Sequence, residues 1–342
     1  MTSPRRLTAL AAALAAVLVL AACGSDDDGS TATGSATATG AAAATGTFPV
    51  TVEHEFGTTT IEAPPERVVS YGYTDQDTLL ALGITPVGIL QWIPEWKRGV
   101  GAWSTAALGD AQPEMLANET SPDFEAIAAL RPDLISIVNY DLDKSAYEKL
   151  SRIAPTVPTV EGYPPYGTPW DVIATQVGAA VGKRDEAQQL VDEAEAAFQA
   201  VRDEHPEWAG KQVMIVTPSP EGGMYIFADS DSRGRFVSEL GFEQSPEVAE
   251  LTGDAFYTEI SPERFDLLDG DALVMLADTT AAKASLDDMP TYRNLDVVRD
   301  GRVVTITDLE LSMALSASTP TAIPYALERL VPDLEQVLAK AK

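Results

Sequence analysis

Between Lys183 and Glu204 the apolar residues Ala187, Leu190, Val191, Ala194, Ala197, Phe198 and Val201 recur at steps of three, four and seven. Most of the charged side chains there fall elsewhere, and that period predicts one long amphipathic helix. Gly182 precedes it and His205-Pro206 stops it, because proline cannot continue the helical hydrogen-bond ladder. At about 1.5 Å per residue it spans on the order of 30 Å. Strand and helix patterns lie on both sides of it, so it reads as a strut joining two lobes.

Before the strut, Val50, Val52, His54 and Phe56 alternate with polar residues, and Gly57 turns the chain toward Thr58 to Ile61, predicting a hairpin. His54 lies on its apolar face and reads as a packed histidine. Strands are expected at Arg67 to Tyr71, Pro86 to Leu90, Leu134 to Val138 and Thr156 to Val160. Helices are expected at Asp75 to Leu82, Pro122 to Leu130, Lys144 to Ile153 and Trp170 to Val181. Such alternation argues for a parallel sheet covered on both faces. After the strut, strands are expected at Gln212 to Thr217, Tyr225 to Phe227, Ala272 to Leu276 and Val303 to Ile306. Helices follow at Arg235 to Leu240, Glu263 to Leu268 and Thr321 to Leu338.

One segment recurs on either side of the strut. Glu125-x-Ile127-x-x-Leu130-x-x-Asp133 leads into Leu134-Ile135-Ser136-Ile137, and Glu263-x-Phe265-x-x-Leu268-x-x-Asp271 leads into Ala272-Leu273-Val274-Met275. Each glutamate falls in the first turn of its helix, where the macrodipole favours negative charge. The repeat therefore predicts two equivalent lobes, each with an outward acidic knob suited to a two-fold basic partner.

The first residues change the compartment. Arg5 and Arg6 precede an apolar run from Leu7 to Ala22, too short for a membrane span and suited to a signal peptide. Leu20-Ala21-Ala22-Cys23 is similar to a bacterial lipobox, in which the chain is cut before Cys23 and the thiol is acylated. Acyl chains there would tether the protein to the outer leaflet. From Gly24 to Thr47 the chain is largely Gly, Ser, Thr and Ala with an acidic triplet, a flexible tether. The expected domains are a signal peptide at 1–22, a lipidated tether at 23–47, an N-terminal lobe at 48–182, the bridging helix at 183–205 and a C-terminal lobe at 206–342.

The 342 residues carry 23 Lys+Arg against 52 Asp+Glu, a net charge of -29, which repels phosphate backbones and argues against nucleic acid. A single cysteine excludes an intrachain disulfide, and His54 and His205 are too few for a histidine-rich metal site. No Gly-x-Ser-x-Gly, His-Glu-x-x-His or phosphate loop is present, so an enzyme is not expected. Asp229-Ser230-Asp231-Ser232-Arg233-Gly234 begins like a calcium loop, but Arg233 and Leu240 occupy positions where ligands are needed.

Taken together, these features resemble the substrate-binding lipoproteins of ABC importers for ferric siderophores, haem and cobalamin. The resemblance covers nearly all of residues 48–342. It rests on the lipobox, on Ile61 to Ser70, on Glu125 to Ile135, on the strut and on Val298 to Val303. It implies an α/β fold of the class III periplasmic-binding-protein type, with two lobes of mainly parallel sheet joined by one long rigid helix. It further implies a monomer with no cofactor that binds one ligand in the cleft. Glu125 and Glu263 match the family's glutamates that engage arginines on the permease dimer, with Asp123 standing where asparagine is common.

The loops expected to line the cleft are aromatic with occasional arginine. They supply Tyr71, Tyr73, Trp92, Trp96, Tyr140, Tyr163, Tyr166 and Trp170 from the first lobe, and Arg233, Arg235 and Tyr257 from the second. Aromatic faces pack a wide organic chelate, and arginines offer charge-assisted bonds to its oxygens. Tyr140 and Tyr257 match positions where the family's hydroxamate binders carry a tyrosine and a tryptophan. The expected ligand is thus a ferric siderophore, preferably a hydroxamate, with no direct metal ligation by protein. Haem, with Tyr73 or Tyr257 as axial ligand, and cobalamin are the alternatives within the family. Outside it stand a secreted enzyme and an adhesion or sensor protein that kept the fold.

Overall fold

The computed structural model describes residues 46–341 apart from 118–120, 165, 254, 278–281, 283, 285 and 287–288. The expected signal peptide, Cys23 and nearly all of the expected tether lie outside the described residues. Among those described, no helix is long and apolar enough to cross a membrane.

A hairpin of β1 (Val50–His54) and β2 (Gly57–Ile61) opens the fold, with Gly57 at φ 124° in the turn. Its alternation buries Val52, His54, Thr59 and Ile61 on one face. The first sheet contains β3 (Val68–Ser70), β4 (Gly88–Leu90), β5 (Glu114–Leu116), β6 (Leu134–Ile137) and β7 (Thr156–Pro158). They run in the order β5-β4-β3-β6-β7 and every pairing is parallel.

The second sheet holds β8 (Val213–Pro218), β9 (Met224–Phe227), β10 (Tyr257–Ile260), β11 (Ala272–Leu276) and β12 (Val303–Ile306) in the order β10-β9-β8-β11-β12. The spatial order is the same as in the first sheet, so β3 corresponds to β8 and β6 to β11. One difference separates them. β8 and β9 are joined by a tight turn in which Ser219 and Gly223 bond each other, and a turn that short can only reverse the chain. β9 is therefore antiparallel to both neighbours, while β8, β11 and β12 stay parallel.

The repeated aspartates do the same work in both sheets. Asp133 accepts from the backbone N–H groups of Glu66 and Arg67, just before β3, at 2.8 Å each. Asp271 accepts from the N–H of Gln212, just before β8, also at 2.8 Å. Each carboxylate satisfies backbone donors at the entry of a central strand, where the ladder has not yet begun.

The bridging helix runs over Arg184–Glu204. Ala187 and Leu190 pack with Ile173 and Val177 in the first lobe, whereas Val191, Ala194 and Phe198 pack with Ile215, Phe236 and Val274 under the second sheet. A single apolar stripe thus changes partners between Leu190 and Val191. The helix is not a bare rod. It lies against the preceding helix Trp170–Ala180 and also meets the closing helix Ala322–Leu338. Gly178 permits the first contact, since a Cβ there would collide with the Ala187 methyl.

Candidate ligand-binding cleft

A cleft of about 410 Å³ opens between the lobes. Tyr73, Trp92, Asn139, Tyr166 and Thr168 line it from the first lobe, each in a loop that leaves the carboxyl end of a strand, Tyr166 and Thr168 late in the loop between Pro158 and Trp170. That is where loops of a parallel sheet converge. Asp231, Ser232, Arg233 and Arg235 face them from the start of the helix Ser232–Glu239, joined by Met313, Ser316 and Ala317 of the helix Leu309–Ala317.

The first wall is braced from beneath. Asp75 is wholly buried and accepts from the Ser136 hydroxyl at 2.6 Å, the Val138 N–H at 2.8 Å and the Asn139 N–H at 3.2 Å. Burial raises its pKa against the pull of those bonds. The carboxylate fixes the strand-to-loop turn that presents Asn139 to the cleft. Tyr73 stacks on Tyr140 with centroids 5.8 Å apart, and meets Trp92 and Tyr166 edge-on at 5.6 Å each. Tyr166 has φ 62°, a left-handed conformation unusual for a bulky residue, and it holds the half-exposed ring over the cleft. Burial, followed by Tyr73 and Asp141, pushes its phenol up to about 12, so it stays a neutral donor.

The second wall carries the charge. Asp231 accepts from Arg233 Nε at 2.7 Å and Nη2 at 2.8 Å, and its Oδ1 also caps the helix through the Arg233 N–H at 2.9 Å. The Arg233 guanidinium lies 3.6 Å from the centre of the Phe227 ring. Arg235 donates to the Ser230 carbonyl at 3.3 Å and, among the described residues, meets no carboxylate at ion-pair distance.

The remaining expected contacts lie elsewhere. Tyr71 is fully buried beneath the cleft, its hydroxyl on the Ala117 carbonyl at 3.0 Å. Tyr140 is buried with it and reaches the cleft only by supporting Tyr73. Both occupy inward positions because the parallel strands they follow are covered on each face. Trp96 is buried behind Trp92 and donates to Glu310 at 2.8 Å. Tyr163 is exposed outside the lining residues, and Tyr257 sits half-exposed on edge strand β10 against Tyr225. Asn139, Thr168, Asp231, Met313 and Ser316 are additional lining residues. Asp231 had a local signal, as an N-cap aspartate before a helix; Met313 and Ser316 had none, since their helix is buried around most of its circumference. The calcium-like motif is accounted for too, because both oxygens of Asp231 are engaged by Arg233. Among the described residues no three His, Cys, Asp or Glu side chains gather as a metal site.

Glu125 and Glu263 are exposed at the first turns of Phe124–Ala129 and Pro262–Leu268, which lead into the corresponding strands β6 and β11. The second of these is a 3₁₀ helix kinked at Arg264. A hydrogen bond from Ser261 lowers the Glu263 carboxyl below the usual range.

The family described as periplasmic binding protein matches residues 68–309. The chain is 28% identical over 344 residues to the probable siderophore-binding lipoprotein YfiY of Bacillus subtilis (strain 168), covering 96% of this chain and 97% of that protein. A periplasmic solute binding protein from Mycobacterium smegmatis is 34% identical with a TM-score of 0.76, over 84% of this chain and 98% of that one. PiaA of Streptococcus pneumoniae TIGR4, solved in complex with ferrichrome, is 26% identical with a TM-score of 0.72, over 86% and 100%. Since the family match runs from the first strand of one large sheet to the last strand of the other, this chain belongs to the periplasmic binding protein family.

Proposed function

We propose that this protein captures a ferric siderophore, by preference a hydroxamate, and delivers it to an ABC permease from the outer face of the cell membrane. The observation that carries the reading is the pairing of an aromatic wall, Tyr73, Trp92 and Tyr166, with a guanidinium wall, Arg233 and Arg235, across one cleft. A chelate presents both an apolar rim and oxygen acceptors, and such a cleft matches each. The family is one of binders and not of catalysts, and relatives carrying iron-chelate names support the cargo. Iron is here a cargo enclosed by its own chelator.

Glu125 and Glu263, at corresponding places in the two lobes, are proposed to dock the permease dimer. Acylated Cys23 is proposed as the membrane anchor of an exported monomer, in keeping with a relative named as a lipoprotein. Tryptophan fluorescence tests the cargo directly, because Trp92 and Trp170 line the cleft. Saturable quenching by a ferric trihydroxamate, and none by free Fe(III), is expected. Equal quenching by both, or by neither, overturns the reading.

A further inference from the structure

Arg233 and Arg235 lie on one wall, separated only by Gly234, yet they differ electrostatically. The Arg233 guanidinium is held in plane by both oxygens of Asp231, a residue only 8% exposed. It is also clamped face-on over Phe227. A bidentate pair of this kind has almost no net charge, though it keeps donors, and Nη1 has no partner among the described residues. Among the described residues, the acceptor that Arg235 meets is the Ser230 carbonyl. Asp229 and Glu239 feel its charge, but both stand beyond ion-pair distance, and burial raises the pKa of each. No other carboxylate lines the cleft among the described residues.

We infer that Asp231 is a specificity-determining residue: by neutralising and fixing Arg233 it sets the cleft to prefer a ferric chelate of low net charge. The inference rests on the proposed ferric-chelate cargo. Without Asp231 the wall would present two open cations and draw highly anionic chelates. With it, Arg233 serves as an oriented hydrogen-bond donor and Arg235 supplies the single positive charge. Both carboxylate oxygens of Asp231 are engaged by Arg233, so it acts on the cargo through that guanidinium, as a positioning residue.

Two probes of opposite charge type test this. A ferric trihydroxamate is neutral, since three singly charged arms balance the metal. A ferric tris-catecholate keeps three negative charges. The ratio of their dissociation constants is measured by fluorescence titration for the full chain and for Asp231→Asn, which retains an N-cap and shape. Asp231→Asn is expected to move the ratio toward the tris-catecholate by about tenfold or more at low salt. Arg233→Gln, which leaves Asp231 uncompensated, is expected to move it the opposite way. The double variant should return near the parent ratio. A ratio unchanged in both single variants, or a double variant that keeps the full Asp231→Asn shift, overturns the inference while leaving the cargo intact. Failure of the parent protein to bind either probe overturns the cargo reading itself.

Discussion

The Thr319 hydroxyl of the second lobe donates to Asp77 Oδ2 of the first at 2.9 Å, with both residues buried. The same carboxylate accepts from Trp103 Nε1 at 2.6 Å and the Ser104 hydroxyl at 2.7 Å. Burial raises its pKa while these bonds oppose the rise. The lobes are thus joined behind the cleft by a polar knot as well as by the bridging helix. Thr319→Val removes this donor to a buried carboxylate, together with the acceptor for the Ala322 N–H at 3.2 Å, at nearly constant volume. It is expected to lower stability by about 1.5–3 kcal/mol. Urea unfolding measures this, and an unchanged midpoint would mean that the knot contributes nothing across the lobes.

A second fastening lies nearby. Glu310, at the start of the helix Leu309–Ala317, accepts from Trp96 Nε1 and from the Ala102 N–H at 2.8 Å each. Trp96 packs edge-on against both Trp92 and Trp103, and Trp103 meets Tyr325 of the closing helix. The loop that places Trp92 in the cleft is therefore held from the opposite lobe. Glu310→Ala is expected to speed amide exchange at Ala102 and to weaken chelate binding several-fold through a looser Trp92. Exchange at Ala102 as slow as in the parent would count against this coupling.

The parts of this architecture that are periodic were legible in the sequence, and the parts set by long-range partners were not. The bridging helix announced itself because one stripe buries Ala187, Val191, Ala194 and Phe198 while the other faces stay polar. Strand β11 was bounded to the residue by its fully buried run. β5 has only Glu114, Met115 and Leu116, too short for any period. β10 carries alternating polar residues at a sheet edge, and neither it nor β9's reversed direction leaves a local signal beyond the turn at Ser219 to Gly223. At the cleft, residue type identified Tyr73, Trp92, Tyr166, Arg233 and Arg235. It could not separate them from Tyr71 or Tyr140, which occupy the same kind of loop but turn inward. Orientation after a strand end depends on what packs below, and that partner is distant in sequence.

This difference gives a paired prediction. Trp92→Ala strips an aromatic face from the cleft and is expected to weaken ferric-chelate binding about tenfold. Tyr71→Phe removes a buried hydroxyl that donates to the Ala117 carbonyl beneath the cleft and is expected to leave affinity unchanged. It should lower stability by roughly 1 kcal/mol. Titration and thermal melting on the same two variants separate the effects, and a Tyr71→Phe protein that binds poorly would place that ring in contact with ligand.

His54 sets an acid limit. Its Nδ1 accepts from the Phe56 N–H at 3.2 Å, while Nε2 lies 2.9 Å from Thr59 Oγ1, which itself donates to the Thr156 carbonyl at 2.7 Å. The hydrogen bonds therefore select the neutral ring with its proton on Nε2, and burial depresses its pKa below 6.5. A depressed histidine contributes stability that is fully present above pH 6.5 and is lost as pH falls through the folded-state value. The slope due to this one group cannot exceed about 1.4 kcal/mol per pH unit. Stability of His54→Gln, compared with the parent between neutral and mildly acidic pH, should fall less steeply. Asp75 and Asp77, whose raised values act in the opposite direction, cancel in that comparison.

The proposed docking role of Glu125 and Glu263 predicts a separation of binding from delivery. Both side chains are exposed and neither lines the cleft. Replacing both with alanine removes two solvent-exposed charges near helix N-termini, where water screens the interaction with the macrodipole. The double variant is therefore expected to fold and to bind a ferric trihydroxamate as the parent does, while iron uptake in cells is lost. Reversing each charge to lysine should be at least as damaging, because the expected permease surface is basic and like charges would oppose contact. Single variants should fall between, since a two-fold partner engaged through one knob keeps half of its anchorage. Normal uptake by the double alanine variant, at equal protein on the cell surface, would remove the docking assignment without touching the cleft.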